Sequence, residues 1–345
     1  MGKPILLCDT KGMDRDRWLE CREHGPDGDI EYTVGGSDVA AIFGVSPWVT
    51  PLELWRQKKG LMKSSFNNEK QKEMGHMLEP IIAYWYGIST GNIVTEDTGL
   101  YQHADYPYAL ANLDRRFTDS SGTNGILECK STTYHKASDW RDEAIPIHYE
   151  FQLRFYLAVT DTEVGDFACL WGNNPDNDLA TPRITRDKFK EEIIFEKLDQ
   201  WIWSLRNDKP PTMADVDPKL GMEALARIYG ASQKGLPTIE FPKKYEYGLR
   251  SIARLQTENT EYQQYITKNE KEIEAHSLKI AELMLSHEHG VLETINDKLL
   301  IDFITKTTRR VNSDLLKKNH PDVYTECLKT SESRKVKVKI EPIVV

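Results

Sequence analysis

Cysteine is scarce in this sequence and never clustered. The five cysteines occur singly, without a C-x-x-C pair. Zinc ribbons and disulfide scaffolds need closely spaced cysteines, so their absence argues against both classes; an iron–sulfur cluster built from distant cysteines stays open. Cys129 lies in an apolar stretch and is expected to be a buried strand residue.

The sequence also lacks a long apolar run. No stretch approaches the length needed to span a bilayer, and the opening residues, MGKPILLCDTKGMDRDRW, are too acidic and too poor in apolar residues for a secretory signal. We therefore expect a cytoplasmic protein with no membrane contact.

An excess of positive charge is missing as well. Lysine and arginine number 45 against 54 aspartates and glutamates, giving a formal net charge of −9. This balance does not indicate a nucleic-acid binder, but a metal-dependent nuclease spends carboxylates on metals and can confine basic groups to one groove. Lysines and arginines do accumulate between residues 306 and 339, either as a solvated face or as such a groove.

The order of predicted elements favours a mixed α/β domain with a central sheet flanked by helices. Ser37 is predicted to cap one helix, and Thr50-Pro51-Leu52-Glu53 is a capping box that begins the next. Helices are predicted over 14–23, 37–44, 50–60, 67–87, 148–159 and 187–205. Strands are predicted over 93–96, 100–103, 108–118, 126–132 and 166–171.

The sequence predicts four segments. Lys209-Pro210-Pro211 ends a core domain of residues 1–210, and 211–244 form a connector. Residues 245–286 are a long helical arm with a diluted heptad seam, which either packs on its own protein or serves oligomerisation or partner binding. Residues 287–345 are a basic extension, with strands predicted over 291–295, 299–305 and 334–340 and a helix over 314–318.

One strand–turn–strand segment, Ala111 to Thr133, carries the residues of greatest chemical interest. Because strand side chains alternate, Glu128 and Lys130 share one face. If Asp114 lies on the neighbouring strand, its carboxylate joins them, and such a cluster can hold Mg²⁺ beside a lysine near the scissile phosphate. Asp119 at the turn is a competing carboxylate, and an acid-x-Lys pair alone is also typical of a solvated face.

Several motifs stand together in one order along residues 14 to 205: GGSDVAAIFGVSPWVTPLELW, GHMLEP, ANLDRRF, ILECKST and EFQLRFY. In this order the chain resembles the YqaJ-type phage recombinase nucleases, relatives of lambda exonuclease in the PD-(D/E)XK superfamily. The resemblance implies a restriction-endonuclease-like core. It also favours Asp114 over Asp119, because the A-N-L-D context matches the family's metal-binding aspartate.

The resemblance implies a role for each matching residue. The implied metal site binds Mg²⁺, or Mn²⁺ in its place, as two ions, with Lys130 as the catalytic lysine and with Gln152 and Tyr156 on the flanking helix. The implied metal ligands are Asp114, Glu128, the backbone carbonyl of Cys129, and Glu79.

A site for the 5′-phosphate of DNA is implied by the same resemblance. The predicted cap Ser37 begins a helix, and the free N–H groups and dipole at a helix N-terminus favour anions. The resemblance adds Arg22, Asn112 and Lys136 to this site.

The implied function is a metal-dependent exonuclease that degrades double-stranded DNA from its ends, 5′ to 3′, in phage-type homologous recombination. It implies a single-strand annealing recombinase as partner, a homo-oligomer such as a ring, and a phage or prophage protein in the bacterial cytoplasm. Two alternatives stay open: an endonuclease of the same fold, restriction-like or acting on branched DNA, and a non-catalytic protein that binds DNA or a partner.

Overall fold

The computed structural model describes residues 2–63 and 69–328. The chain divides into two compact units, Met1–Gly230 and Ala231–Val345. The predicted connector 211–244 spans this boundary, and the predicted domain limits stay a prediction. The predicted strand over 334–340 lies outside the described residues.

The first unit contains helices and strands in mixed order. Its helices are α1 Arg15–His24, α2 Gly36–Ile42, α3 Pro51–Lys58, α4 Glu69–Thr90, α5 Ile147–Val159, α6 Pro175–Asp178, α7 Lys188–Arg206 and α8 Pro218–Tyr229, with a 3-10 segment over Tyr134–Glu143. Its strands are β1 Ile5–Asp9, β2 Ile93–Glu96, β3 Gly99–Gln102, β4 Leu110–Asn112, β5 Arg115–Thr118, β6 Asn124–Ser131, β7 Val164–Leu170, β8 Leu179–Ala180 and β9 Arg183–Thr185.

The central sheet is mixed and runs in the order β2-β5-β6-β7-β8, with β9 also paired to β7. β6 and β7 are parallel, and α5 lies in the connection between them, whereas the other pairings are antiparallel. The predicted mixed α/β class with a central sheet is therefore confirmed.

Helices cover both faces of this sheet. On one face, Ile82 and Tyr86 of α4 pack against Phe117, Leu127 and Cys129. On the other face, α2, α5 and α7 contribute to a larger apolar cluster. Burial of one large aliphatic or aromatic side chain contributes about 1.5–3 kcal/mol, so these two clusters stabilise the β6–β7 centre of the sheet.

The predicted single strand over 108–118 is wrong, because the chain changes sheets within it. β4 pairs with β3 in a separate three-stranded sheet with β1, whereas β5 pairs with β2 and β6. Leu113 and Asp114 lie at the break. Asp114 is thus held at the junction of two sheets rather than within a continuous strand.

The starts of α2 and α3 test two helix caps that the sequence predicts. The capping box at Thr50 is confirmed, since its hydroxyl accepts the Glu53 N–H and Pro51 begins α3. The predicted Ser37 cap is wrong, because α2 begins at Gly36 and its cap is Gly35, two residues before Ser37. The Asp38 carboxylate accepts the Gly35 N–H at 3.1 Å, which leaves Ser37 exposed in the first turn.

The second unit is dominated by one helix, α9, over Glu246–Met284. A hairpin of β10 His289–Glu293 and β11 Lys298–Asp302 follows, then α10 Ser313–Asn319 and α11 Pro321–Cys327. Across residues 2–63 and 69–328, no helix combines the length and apolarity needed to cross a bilayer.

Candidate active site

The site is built on β6, which presents Glu128 and Lys130 toward α5. Leu127 and Cys129 pack on the opposite face beside α4, as the strand alternation predicts. Glu128 is only 1% exposed, and its Oε1 lies 2.6 Å from Lys130 Nζ. A buried carboxylate is therefore held against a lysine at the centre of the sheet.

Helix α5 adds a second donor to the same carboxylate oxygen. Gln152 Nε2 lies 2.6 Å from Glu128 Oε1 and 3.2 Å from the Tyr156 hydroxyl. Gln152 and Tyr156 are four residues apart, so they share one face of the helix. The other carboxylate oxygen, Oε2 of Glu128, is buried and has no hydrogen-bond partner among the described residues.

The Glu128 carboxylate is one of three that influence each other. Asp114 Oδ2 accepts the Cys129 N–H at 2.9 Å, and Glu79 lies 2.9 Å from Nδ1 of His76. Burial, and then the Asp114 charge, raise the pKa of Glu128 to about 8, and the same two causes raise the pKa of Glu79. This concentration of negative charge favours a proton or a metal cation.

Lys130 stays positively charged in this setting. Burial opposes its charge, but Glu128 and Asp114 outweigh that effect and raise the pKa of the lysine. Its Nζ lies 5.1 Å from the centroid of the Tyr149 ring. Burial and the Lys130 charge lower the pKa of His148 to about 4, so that ring is neutral near pH 7.

The sequence patterns did not identify His148 and Tyr149 as neighbours of Lys130. The signal for them was helical spacing, because they lie four and three residues before Gln152 on α5 and therefore share its face.

The donor chemistry of the cluster fits Mg²⁺. Within the described residues no three His, Cys, Asp and Glu side chains form a ready metal site. Mg²⁺, however, is commonly bound through one or two carboxylates plus waters and substrate phosphates. The unpaired Oε2 of Glu128 and the Asp114 carboxylate supply such oxygens, with Glu79 beside Asp114 and with the Cys129 carbonyl as a predicted further ligand.

Arg22 is brought to the start of α2, where Ser37 also lies. A Cβ on Gly35 would lie 3.3 Å from Arg22 Nη2, and the guanidinium stacks on Trp18 at 4.5 Å from the ring centroid. Its charge also lowers the pKa of Tyr156, partly offsetting the larger upward effect of burial. Arg22 thus lies beside the first turn of α2, close enough to Tyr156 of α5 for its charge to act on that hydroxyl.

The other two predicted phosphate ligands are placed differently. Asn112 donates from Nδ2 to the Gly99 carbonyl at 3.0 Å, while its buried Oδ1 has no hydrogen-bond partner within the described chain. Lys136 lies on the exposed 3-10 segment, 3.6 Å from Asp139. One N–H of the Asn112 side chain is therefore bound within the three-stranded sheet. Lys136 lies at the surface.

Asp119 has a structural role at the turn before β6. Its Oδ1 accepts the backbone N–H groups of Ser121 and Thr123 and the Ser121 hydroxyl, and these bonds lower its pKa. Asp119 also pairs with Arg183 at 3.4 Å. Asp114, rather than Asp119, contacts the β6 site.

The chain is similar to proteins of known sequence and to solved structures. The chain is 27% identical over 338 residues to the uncharacterized protein YqaJ of Bacillus subtilis, covering 97% of each chain. Among solved structures, an alkaline exonuclease (LHK-Exo) from Laribacter hongkongensis matches with 22% identity and a TM-score of 0.45, over 56% of this chain and 94% of that one. A phage-related exonuclease from Haemophilus somnus matches with 15% identity and a TM-score of 0.39, over 51% and 92%.

A family model for the YqaJ-like viral recombinase domain matches residues 17–163, a range that contains every candidate site residue named above from Arg22 to Tyr156. Residues 17–163 are therefore similar to the YqaJ-like viral recombinase domain.

Proposed function

We propose that the protein is a Mg²⁺-dependent deoxyribonuclease that hydrolyses the phosphodiester bonds of double-stranded DNA. The observation that carries this proposal is the buried Glu128 carboxylate, with one oxygen bound by Lys130 and Gln152, the other without a hydrogen-bond partner among the described residues, and the Asp114 charge acting on it. A buried acid and a lysine on β6, with a second carboxylate at the β4–β5 break, are the groups that metal-assisted hydrolysis uses.

Each residue has a distinct part in the proposed chemistry. When bound, the metal supplies positive charge at the scissile phosphate and favours the ionised form of an attacking water. Glu128 and Asp114 would hold it, as two ions with Glu79 completing the site. Lys130 keeps its proton and places a positive charge where negative charge develops on the phosphate. Gln152 fixes the orientation of Glu128.

We further propose an exonuclease that begins at a 5′ end. Arg22 lies against the first turn of α2, where Ser37 is exposed, and Gly36 of the same turn packs on Gln152 and Tyr156. If the terminal 5′-phosphate of the DNA is bound there, the phosphodiester bonds next to it would lie toward the β6 site. Phosphate contacts of this kind position DNA without reading its sequence. Asn112 and Lys136 would contribute from the margins.

The biological setting is part of the same proposal. A viral recombinase domain that resects duplex ends would act in phage-type homologous recombination, with a single-strand annealing recombinase as partner, in the cytoplasm of the bacterial host. A closed homo-oligomeric ring around the duplex would favour processive digestion.

The experiment compares linear duplexes bearing 5′-phosphate or 5′-hydroxyl ends with a covalently closed circle, each in Mg²⁺, Mn²⁺ and EDTA. Metal-dependent degradation of linear DNA, fastest from the 5′-phosphate, is expected. Nicking of the circle would instead favour an endonuclease. If neither substrate is cleaved, the protein would be one that binds DNA or a partner without catalysis.

A further inference from the structure

No described residue covers helix α9 over most of its length. Every residue from Asn259 to Ile280 is exposed, and the buried residues, Ala253 and Met284, lie near the two ends. Most helical stability in proteins comes from packing an apolar face rather than from backbone hydrogen bonds alone. A long helix with an apolar stripe is therefore expected to pack against a partner.

Ten positions of α9, seven of them apolar, recur with alternating spacings of three and four residues, which is the heptad pattern of coiled coils. The a positions of this seam are Ile252, Asn259, Ile266, Ile273 and Ile280. The d positions are Leu255, Tyr262, Asn269, His276 and Leu283. Residues of this seam are largely exposed to solvent: Ile273 is 62% exposed and Leu283 is 84% exposed.

We propose that α9 pairs with α9 of a second copy of this chain as a parallel, in-register, two-stranded coiled coil. Four of the five a positions are isoleucine and two of the five d positions are leucine, and β-branched residues at a with leucine at d favour two strands. Asn259 occupies the remaining a position. An amide both donates and accepts, so two copies facing each other satisfy one another, and a single asparagine at a specifies register and strand number.

The positions that flank the seam are compatible with parallel pairing. In that arrangement each g residue faces the e residue five positions later on the other helix. The facing pairs are Ser251 with Gln256, Glu258 with Gln263, Tyr265 with Glu270, Glu272 with Ser277, and Lys279 with Met284. None of these pairs brings like charges together, so nothing at the flanks opposes the association.

An antiparallel pairing is less favourable. The register that satisfies the asparagines sets Asn259 against Asn269 of the other copy, and it brings Glu258 against Glu272 twice. Registers shifted by a heptad place Asn269 against an isoleucine and leave a buried amide unpaired, which is destabilising. Charge and amide pairing together therefore select the parallel arrangement.

The first test measures the mass of the full-length chain in solution by sedimentation equilibrium. Ile273→Asp is the seam variant, and Leu278→Asp is its matched control, since Leu278 is 65% exposed on the same helix but outside the seam. The unaltered chain and Leu278→Asp should associate, whereas Ile273→Asp should lose the contribution of α9 and fall in mass. Far-UV circular dichroism checks that α9 stays helical.

A monomeric unaltered chain overturns the proposal and points to a different partner for α9. An unchanged mass for Ile273→Asp, or an equal loss in Leu278→Asp, also overturns it.

The second test fixes the orientation. Cys327, the exposed cysteine, is replaced by serine, and Asn259→Cys is introduced into that background. Parallel pairing places the two new thiols opposite each other, so mild oxidation should join two chains through a disulfide that the Cys327→Ser parent does not form. Absence of this cross-link, or its formation only when Asn269→Cys is added, overturns the parallel register.

Discussion

Gln152 and Glu128 are joined by a hydrogen bond of 2.6 Å from Nε2 to Oε1, the same oxygen that accepts Lys130. Two donors therefore occupy one oxygen of a buried carboxylate. The arrangement fixes the carboxylate plane and leaves Oε2 as the acceptor for a cation. In the proposed metal site, Gln152 would thus act by positioning Glu128.

Gln152→Ala should raise the Mg²⁺ concentration required for half-maximal cleavage and slow cleavage about 10–100-fold, as is usual when a group that orients a metal ligand is lost. Tyr156→Phe should have a smaller effect, because it removes a hydroxyl that contacts Gln152 but leaves the bond to Glu128. Mg²⁺ titrations of the initial rate provide the measurement. A Gln152→Ala enzyme with unchanged Mg²⁺ dependence would refute the positioning role.

Stability in the absence of metal should depend on pH through Glu128. The pKa is raised from 4.5 to about 8 in the folded state, so the folded protein binds the proton more tightly than the unfolded chain does. The resulting stability is fully present below pH 4.5 and is lost as the pH rises through about 8.

Mg²⁺ should reverse that loss, because it binds the ionised carboxylate. Metal at about 100 times its Kd stabilises by roughly 2.7 kcal/mol, so the gain in Tm from Mg²⁺ over EDTA should be larger at pH 8.5 than at pH 6. Differential scanning fluorimetry measures both. Glu128→Gln is the control and should remove most of the Mg²⁺ effect; an equal gain at both pH values in the unaltered chain would contradict the account.

Gly36 permits the close contact between α2 and α5. A Cβ there would lie 2.5 Å from Cε1 of Tyr156 and 2.9 Å from Cγ of Gln152. Gly36→Ala should therefore destabilise by about 1–3 kcal/mol, as overpacking does, and displace the Gln152 side chain.

Gly75→Ala is the matched control, because Gly75 is also helical and a Cβ there would contact nothing within 4 Å among the described residues. It should be neutral or stabilising by about 0.5–1 kcal/mol. Urea unfolding and the cleavage rate distinguish the two. If both variants behave alike, the close packing at Gly36 does not shape the site.

The sequence predicted those parts of the fold that rest on local signals. The capping box of α3, the length of α9 and the shared face of Glu128 and Lys130 each follow from residues close in the chain. The Asp217-Pro218 start of α8 is an equally local signal that was overlooked; its Asp217 carboxylate caps the Leu220 N–H.

Other features depend on partners far along the chain. The break at Asp114 arises because β4 and β5 bond to different sheets, and no pattern within residues 108–118 reveals that. Ser37 satisfied the rule for a cap, but Asp38 reaches back to Gly35 and moves the helix start. The close placement of Gln152 and Glu128 depends on how α5 packs on β6, which the motif order implied through resemblance alone.

Arg22→Ala should reduce the preference for 5′-phosphorylated over 5′-hydroxyl duplex ends, because it removes the cation beside the first turn of α2. A hydrogen bond to a charged group contributes about 1.5–3 kcal/mol, so the ratio of the two rates should fall about tenfold or more. Arg17→Ala on the same helix is the control, since Arg17 pairs with Glu20 instead. An unchanged ratio for Arg22→Ala would remove this residue from the phosphate site.

The most direct test of the central claim measures the rate at which a 5′-phosphorylated linear duplex is degraded in Mg²⁺ by Asp114→Asn and Asp119→Asn. Both changes remove one carboxylate from the same strand pair, but only Asp114 contacts the β6 site, while Asp119 caps a turn. The account predicts that Asp114→Asn loses at least about 100-fold in rate while Asp119→Asn stays near the unaltered enzyme. Full Mg²⁺-dependent activity in Asp114→Asn would contradict it.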